Sequence, residues 1–169
     1  DTDGVKHSPK EFSVKHETDK AIEYLRNRNG ERKADAPFFL VVGYNPPHSP
    51  YSGPEDCMEE DYEIYKDMSY KELYLRPNAD TTLVKAPSAR YYFANVTAVD
   101  REFGRILNEL KALGLDKNTI VVFTSDHGET MCSQGTLDPK NSIYTESFNV
   151  PMIIRYPGKI RPHVDTTLF

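Results

Sequence analysis

The sequence of 169 residues contains no tryptophan and only two cysteines, Cys57 and Cys132. Two cysteines are too few for a disulfide-rich scaffold, and neither lies in the Cys-x-x-Cys spacing that is typical of zinc and redox sites. In an oxidising compartment they could form one bridge, and two free thiols are equally open from the sequence. A disulfide framework and a cysteine-ligated metal are therefore excluded as organising features.

Basic residues and long apolar runs are also scarce. The chain has 21 Lys and Arg against 26 Asp and Glu, a net charge of −5, which argues against nucleic acid as a partner because such proteins carry a basic surplus. No apolar run reaches the roughly 18 residues that a membrane span needs. With 8 Phe and 11 Tyr the composition is not that of a disordered chain, and the length suits one domain.

An initiator methionine is missing too, since the chain opens on Asp1. It ends at residues 164–169, where an apolar stretch begins. Both ends lead us to expect a piece of a longer protein.

Two helices are predicted from apolar spacing. Thr18 is placed to cap a helix through Leu25, with Gly30 just past its end, after an irregular lead-in over residues 1–14. Ser88 and Gly114 bound a longer helix with apolar residues at steps of three and four. These residues are Tyr92, Val96, Val99, Phe103, Ile106, Leu110 and Leu113.

Three continuous apolar runs, at residues 38–44, 119–124 and 150–156, are typical of strands buried on both faces. Strands alternating with helices predict an α/β fold with a mostly parallel sheet flanked by helices. Residues 51–87 are expected to form an irregular excursion. Its acidic part, residues 55–67, is either a solvated surface or a lid that helps to choose the substrate.

Polar side chains follow these strands, at the edge of an α/β sheet where ligands gather. His48 follows the first strand, Asp126 and His127 follow the second, and Lys140 precedes the third. A carboxylate beside an imidazole can face one metal ion, and we expect Gly128 to permit unusual dihedral angles there. Taken singly, each residue is more often a structural or surface residue than a site residue.

Four segments in order resemble the sulfatase family, from about residue 15 to the end of the chain. They are the helix near residues 18–25, "PFFL" with "PHSPY" within residues 37–51, the long helix followed by "NTIVVFTSDHGE" up to residue 129, and the block from Lys140 to "VPMIIRYPG" at residues 150–158. The resemblance implies the alkaline-phosphatase-like three-layer sandwich. It also implies sulfuric ester hydrolase activity on a sulfated small molecule or glycan.

The family implies roles for single residues as well. By this resemblance Asp126 and His127 match metal ligands for calcium, although many relatives carry Asn in place of His127. His48 matches a histidine that contacts the sulfate ester oxygens, and Lys140 matches a lysine that neutralises sulfate charge. The family's nucleophile is a formylglycine made from a Cys or Ser in a Cys/Ser-x-Pro/Ala-x-Arg motif, which neither cysteine here fits.

Residues 1–169 are therefore expected to be part of a sulfatase catalytic domain, without the N-terminal nucleophile segment and the C-terminal subdomain. Such a piece is expected to be inactive by itself. One alternative is a phosphodiester or phosphonate monoester hydrolase of the same superfamily, and another is a catalytically dead relative that acts as a binding subunit. The resemblance alone favours a periplasmic, secreted or lysosomal location, and the sequence leaves the oligomeric state open.

Overall fold

The computed structural model describes residues 9–33 and 35–166. Over this part of the chain the helices and strands are α1 (Ser13–Arg26), α2 (Glu59–Tyr65), α3 (Tyr70–Leu73), α4 (Ala89–Ala112), β1 (Val121–Thr124), α5 (Thr145–Phe148) and β2 (Met152–Arg155). Short 3₁₀ turns lie at Pro54–Asp56, Ala86–Ser88 and Asp116–Asn118. Helix and sheet are mixed, as predicted. Within the described ranges no helix is long and apolar enough to cross a membrane.

Helix α1 begins six residues earlier than the sequence predicts, with Phe12 and not Thr18 at the N-cap position. Val14 is fully buried and anchors the first turn, so the lead-in is shorter than predicted, and its residues 1–8 lie outside the described part. Thr18 does not cap the helix. It lies inside α1, where its hydroxyl pairs with the hydroxyl of Tyr44 at 2.7 Å. A buried hydroxyl needs such a partner, and packing therefore overrides the capping preference of threonine.

The end of α1 also differs from the prediction. Asn27, not Gly30, adopts the left-handed conformation directly after the helix, with φ of 53°. Its amide side chain bonds both the N–H and the C=O of Arg32, which compensates the strain of a non-glycine residue in this region. Gly30, with φ of 69°, lies in the turn that follows.

Helix α4 has the predicted bounds, between Ser88 and Gly114, although the Ser88 side chain makes no capping hydrogen bond. The predicted apolar face is only partly the buried one. Val96 and Leu113 are exposed, whereas Ala94 and other small residues are buried. The reason is that α1 and α2 pack against different sides of α4, so the buried surface is wider than a single stripe.

The acidic excursion is more regular than predicted, because it contains α2 and α3. Tyr62 stacks on Tyr91 of α4 with ring centroids 5.0 Å apart, and the Tyr65 hydroxyl pairs with that of Thr97. Asp61 is buried and forms an ion pair with Arg101. The acidic run is thus a helix packed on α4 that turns its remaining carboxylates to solvent.

Residues 38–44 are extended, but they make no strand ladder within the described ranges. Alternate side chains pack on the core, whereas Phe39 is 90% exposed on the other face. The prediction of burial on both faces is therefore wrong for this chain. The core consists of Ala21, Leu25, Ile106 and Leu110, with Phe38, Leu40, Val42, Tyr44, Leu115 and Val121 packed against it.

Strands β1 and β2 form the one ladder in the described part of the chain, and it is antiparallel. Phe123 pairs with Ile153 in this register, and Phe123 also packs against Phe103 of α4 at 5.1 Å. The parallel pairing expected for the sheet does not occur between these two strands. The extended segment and β1 pack on the same core, and the polar loops that follow each of them carry the predicted site residues.

Candidate active site

The four predicted site residues meet in one polar cluster. The ammonium Nζ of Lys140 lies 3.0 Å from Nε2 of His48 and 3.1 Å from Nε2 of His127. The carboxylate of Asp126 lies 3.5 Å from the same nitrogen of His127. Residues 92 positions apart along the chain therefore contact each other. We refer to His48, Asp126, His127 and Lys140 as the site cluster.

The hydrogen bonds assign the proton positions on both imidazoles. Nδ1 of His48 lies 2.8 Å from the carbonyl oxygen of Ser49, and Nδ1 of His127 lies 2.8 Å from that of Gly128. A carbonyl oxygen only accepts, so each Nδ1 carries the hydrogen. The ammonium of Lys140 only donates, so each Nε2 presents a lone pair to it. In this arrangement one ammonium group donates to both rings.

Asp126 is an ionised carboxylate turned to solvent, with 84% of its side chain exposed. Desolvation acts to raise its pKa, but the net direction is down. Backbone N–H groups at Asp126 and His127 and the Ser125 hydroxyl stabilise the charged form by hydrogen bonds. One of these is the His127 N–H, which donates to Oδ1 at 3.0 Å. The carboxylate is therefore preorganised and negatively charged.

Gly128 has a different role from the one predicted. Its φ is not in the positive region, and the requirement is space: a Cβ atom here would lie 2.0 Å from the carbonyl oxygen of Glu146 in α5. The Gly128 N–H donates to the carbonyl of Ser147 at 2.7 Å. Only a glycine allows this loop to lie so close to α5.

The loop that carries Lys140 is closed at its base by hydrogen bonds between side chains and the backbone. The Thr130 hydroxyl donates to the carbonyl of Asp138, and the Asp138 carboxylate accepts the N–H of Lys140 and of Asn141. Between these points the loop contains three non-glycine residues with positive φ, a sparsely populated conformation that costs about 1–3 kcal/mol each. They are Met131, Cys132 and Gln134.

Two residues that the sequence did not single out join the loops on either side of the site cluster. The Tyr51 hydroxyl donates to the Glu129 carboxylate at 3.0 Å, and the Tyr51 ring packs edge-on against Tyr92 of α4 at 5.6 Å. Burial, then the neighbouring carboxylate, raises the pKa of Tyr51, and burial raises that of Glu129. Their place inside the two motif strings that resemble the sulfatase family, "PHSPY" and "SDHGE", was the available signal.

The cysteines take no part in the site cluster. Cys57 and Cys132 are free thiols, and both are buried. Burial raises the pKa of the Cys57 thiol to about 11, so its reactive thiolate is disfavoured at neutral pH. The sequence left open whether the two cysteines form a bridge, and in the structure they do not.

The site cluster fits one part of a calcium site. Asp126 presents ionised, solvent-facing oxygen atoms, the ligand type that calcium prefers, and His127 places an imidazole nitrogen beside them. Calcium takes six to eight ligands, and the described residues hold no group of three or more His, Cys, Asp or Glu side chains suited to a metal. The donor set is therefore compatible with calcium but does not complete its coordination.

Comparison with known proteins gives a consistent result. The family model described as "Sulfatase" matches residues 3–168. A curated relative, an endo-4-O-sulfatase of Bacteroides thetaiotaomicron, is 58% identical over 168 residues, which are 99% of this chain and 33% of that protein. The chain thus spans about a third of the length of this relative.

Solved structures agree with this match. A structure from work on glycosaminoglycan metabolism by Bacteroides thetaiotaomicron superposes with a TM-score of 0.95 at 58% identity, over 97% of this chain and 34% of the other. A phosphonate monoester hydrolase of Agrobacterium radiobacter gives a TM-score of 0.55 at 27% identity, over 82% of this chain and 32% of the other. These likenesses confirm the alkaline-phosphatase-like fold that the sequence motifs predicted.

Proposed function

Since the chain belongs to the sulfatase family, we propose that the whole protein hydrolyses sulfate esters and that the site cluster forms part of its active site. The observation that carries this proposal is the position of Lys140, whose ammonium group lies between two imidazole nitrogens in an otherwise acidic protein. An anionic substrate would be repelled by a net charge of −5. A locally positive site is therefore required for binding.

Lys140 would neutralise the non-bridging oxygens of the sulfate group. An ammonium is a compact charge with three donors, which suits a tetrahedral anion. In the cluster two of these donors have imidazole acceptors. Exchange of an imidazole contact for a sulfate oxygen would keep the ammonium hydrogen-bonded throughout, so little reorganisation is needed when the substrate binds.

His48 would act on the bridging oxygen, where charge develops as the ester bond breaks. Its Nδ1–H is held by the carbonyl of Ser49, which fixes the ring so that Nε2 is the nitrogen turned to the site cluster. Protonated at Nε2, the ring would donate to the leaving alkoxide as a general acid. This role needs the ring orientation that the Ser49 contact provides.

Asp126 and His127 would contribute ligands to the calcium ion of the family. Bound there, the ion supplies positive charge to the sulfate oxygens. Asp126 keeps its carboxylate ionised for this purpose, and Gly128 lets the loop lie against α5 so that the carboxylate is fixed. The formylglycine nucleophile of the family matches neither cysteine in residues 1–169, so we propose that it lies elsewhere in the whole protein.

The substrate that we propose is a 4-O-sulfated glycan. The relative at 58% identity carries the name endo-4-O-sulfatase, and identity of this level extends over 99% of the chain. The test is release of inorganic sulfate by the whole protein from a 4-O-sulfated glycosaminoglycan polymer. A 6-O-sulfated polymer of the same backbone serves as the matched control. We expect release from the first polymer only, and equal release from both would contradict the 4-O assignment.

A second candidate is phosphonate monoester hydrolysis, favoured by the likeness to the Agrobacterium radiobacter enzyme. An aryl phosphonate monoester added to the same assay separates the two activities. Hydrolysis of the phosphonate without sulfate release from any sulfated substrate would reject the sulfatase proposal. Failure with both ester classes would favour a catalytically dead relative that acts by binding.

A further inference from the structure

His48 reaches the site cluster from an exposed loop, and its own contacts hold it only lightly. Beyond its Lys140 contact, the ring bonds the carbonyl of the next residue, Ser49, and its backbone N–H bonds the carbonyl of Asn45 in the same loop. Contacts within one loop fix its shape but not its position relative to the rest of the molecule. An anchor elsewhere in the loop must therefore set where the His48 ring lies.

Tyr51, three residues after His48, provides that anchor. Its side chain is 6% exposed, and its ring packs edge-on against Tyr92 of α4, the longest helix. Its hydroxyl donates to Oε2 of Glu129, which lies 78 positions later and two residues beyond His127. The bond thus ties the loop of His48 to the loop of Asp126 and His127.

Glu129 accepts a hydrogen bond at each of its two carboxylate oxygens, and the two bonds connect different loops. Oε2 accepts from Tyr51, and Oε1 accepts the backbone N–H of Met131 at 3.3 Å. Met131 is the first of the positive-φ residues in the loop that delivers Lys140. A single half-buried carboxylate therefore contacts all three loops that contribute to the site cluster, and hydrogen bonds to a charged acceptor are the stronger kind.

We propose that Tyr51 and Glu129 are positioning residues, which set the separation of His48 from Lys140 and His127 by a hydrogen bond that crosses between their loops. Neither residue contacts the reacting ester in this proposal. They act through His48, whose Nε2 must lie where the leaving oxygen of the substrate develops charge. The part of the proposal that concerns turnover rests on the proposed sulfatase function.

The experiment uses the whole protein with Tyr51→Phe, Glu129→Ala and Glu129→Gln. Tyr65→Phe is the matched control, because it also removes a tyrosine hydroxyl that bonds a half-buried neighbour, but on α2 and outside the site loops. We expect Tyr51→Phe and Glu129→Ala each to lower kcat by about tenfold or more with KM changed by less than about twofold, since misplacement of a reacting group costs turnover. Glu129→Gln keeps an acceptor oxygen and should restore most of kcat.

A second readout does not depend on activity. Crystal structures of the wild type and of Tyr51→Phe are expected to show a longer separation of His48 Nε2 from Lys140 Nζ in the variant, and no such change in Tyr65→Phe. An unchanged separation overturns the proposal whatever kcat does, and so does a kcat of Tyr51→Phe within about twofold of the wild type. Should Tyr51→Phe fail to fold, Glu129→Ala and Glu129→Gln give the same comparison.

The two proposals fail in different ways. A wild-type protein that releases no sulfate from any sulfated substrate rejects the proposed function, and the crystallographic comparison still decides the positioning proposal. Full sulfatase activity together with an unmoved His48 in Tyr51→Phe rejects the positioning proposal and leaves the function in place.

Discussion

Lys140 and His48 are ordinary residues when each is considered by itself, a lysine and a histidine in exposed loops. They become significant because Nζ of Lys140 lies 3.0 Å from Nε2 of His48, although the two residues are 92 positions apart in the chain. The order of the motifs predicted these residues, and the geometry adds how the rings are held, because carbonyl oxygens accept from both Nδ1 atoms. The Tyr51–Glu129 contact was not predicted, since a tyrosine and a glutamate carry no spacing signal that links them.

Gly128→Ala tests the close approach of the site loop to α5. The added Cβ would meet the Glu146 carbonyl at 2.0 Å, so the loop that carries Asp126 must move. We expect a loss of stability of about 1–3 kcal/mol, typical of overpacking, and a fall of kcat/KM by up to about 100-fold. Urea unfolding and steady-state kinetics of the whole protein measure the two effects.

Gly104→Ala is the control for this substitution. Gly104 lies in the middle of α4, and a Cβ added there meets nothing within 4 Å. Alanine should leave kcat/KM unchanged and stabilise the helix by about 0.5–1 kcal/mol, because glycine is the poorer helix former. Equal kinetic losses in both variants would show that proximity to α5 is not the reason for glycine at position 128.

At the scale of elements, α1 and α4 are joined by charge as well as by the apolar core. Arg26 near the end of α1 donates two hydrogen bonds of 2.7 Å to the carboxylate of Glu109 in α4. The hydrogen bonds from Arg26 lower the pKa of Glu109 below its ordinary value of 4.5. Folding therefore favours the ionised form of this carboxyl group.

Because folding lowers the pKa of Glu109, the stability that this contact contributes depends on pH. A carboxyl group whose pKa is lowered on folding stabilises the protein above its ordinary pKa, and the contribution disappears as the pH falls through the folded value. Glu109→Gln should therefore lower the Tm of the whole protein at pH 7, and the difference from the wild type should shrink as the pH falls below 4.5 and through the lower folded pKa. Thermal unfolding followed by circular dichroism across this range checks the prediction.

Glu31→Gln, at an exposed glutamate after α1, controls for the loss of one negative charge. It should lower the Tm at pH 7 by less than Glu109→Gln does. A Tm difference for Glu109→Gln that stays the same when the pH is lowered well below 4.5 would show that the ionised carboxylate is not what stabilises the contact.

Over the whole molecule, the packing is one-sided. The helices cover one face of the extended segment and of β1, whereas large apolar side chains on the opposite face are exposed. These include Phe39, Val41 and Val122. The chain spans about a third of the length of the curated relative that is 58% identical to it. Among the described residues, the site cluster supplies only some of the groups that a calcium site needs.

Calcium binding is therefore predicted to belong to the whole protein. Whole protein should bind calcium stoichiometrically and lose activity on chelation, whereas residues 1–169 alone should bind it weakly, because two ligands do not replace six to eight. Asp126→Ala in the whole protein should lower calcium affinity and activity together. Isothermal titration calorimetry and metal analysis measure these affinities.

Asp67→Ala, at an exposed carboxylate after α2, is the matched control and should change neither quantity. Tight stoichiometric binding of calcium by residues 1–169 alone would contradict the prediction that the whole protein is needed to bind it. Unchanged metal content and activity in Asp126→Ala would show that this carboxylate is not a ligand.

The sequence by itself determined the α/β class, the bounds of α4, the family and the four residues of the site cluster, because these follow from local periodicity and from motifs of contiguous residues. Only the tertiary structure decided where α1 begins, that β1 and β2 pair antiparallel, that Gly128 serves close approach, and that Tyr51 joins Glu129. Each of these depends on which distant segments touch. Pairing across dozens of residues is set by packing, which local residue preferences do not encode.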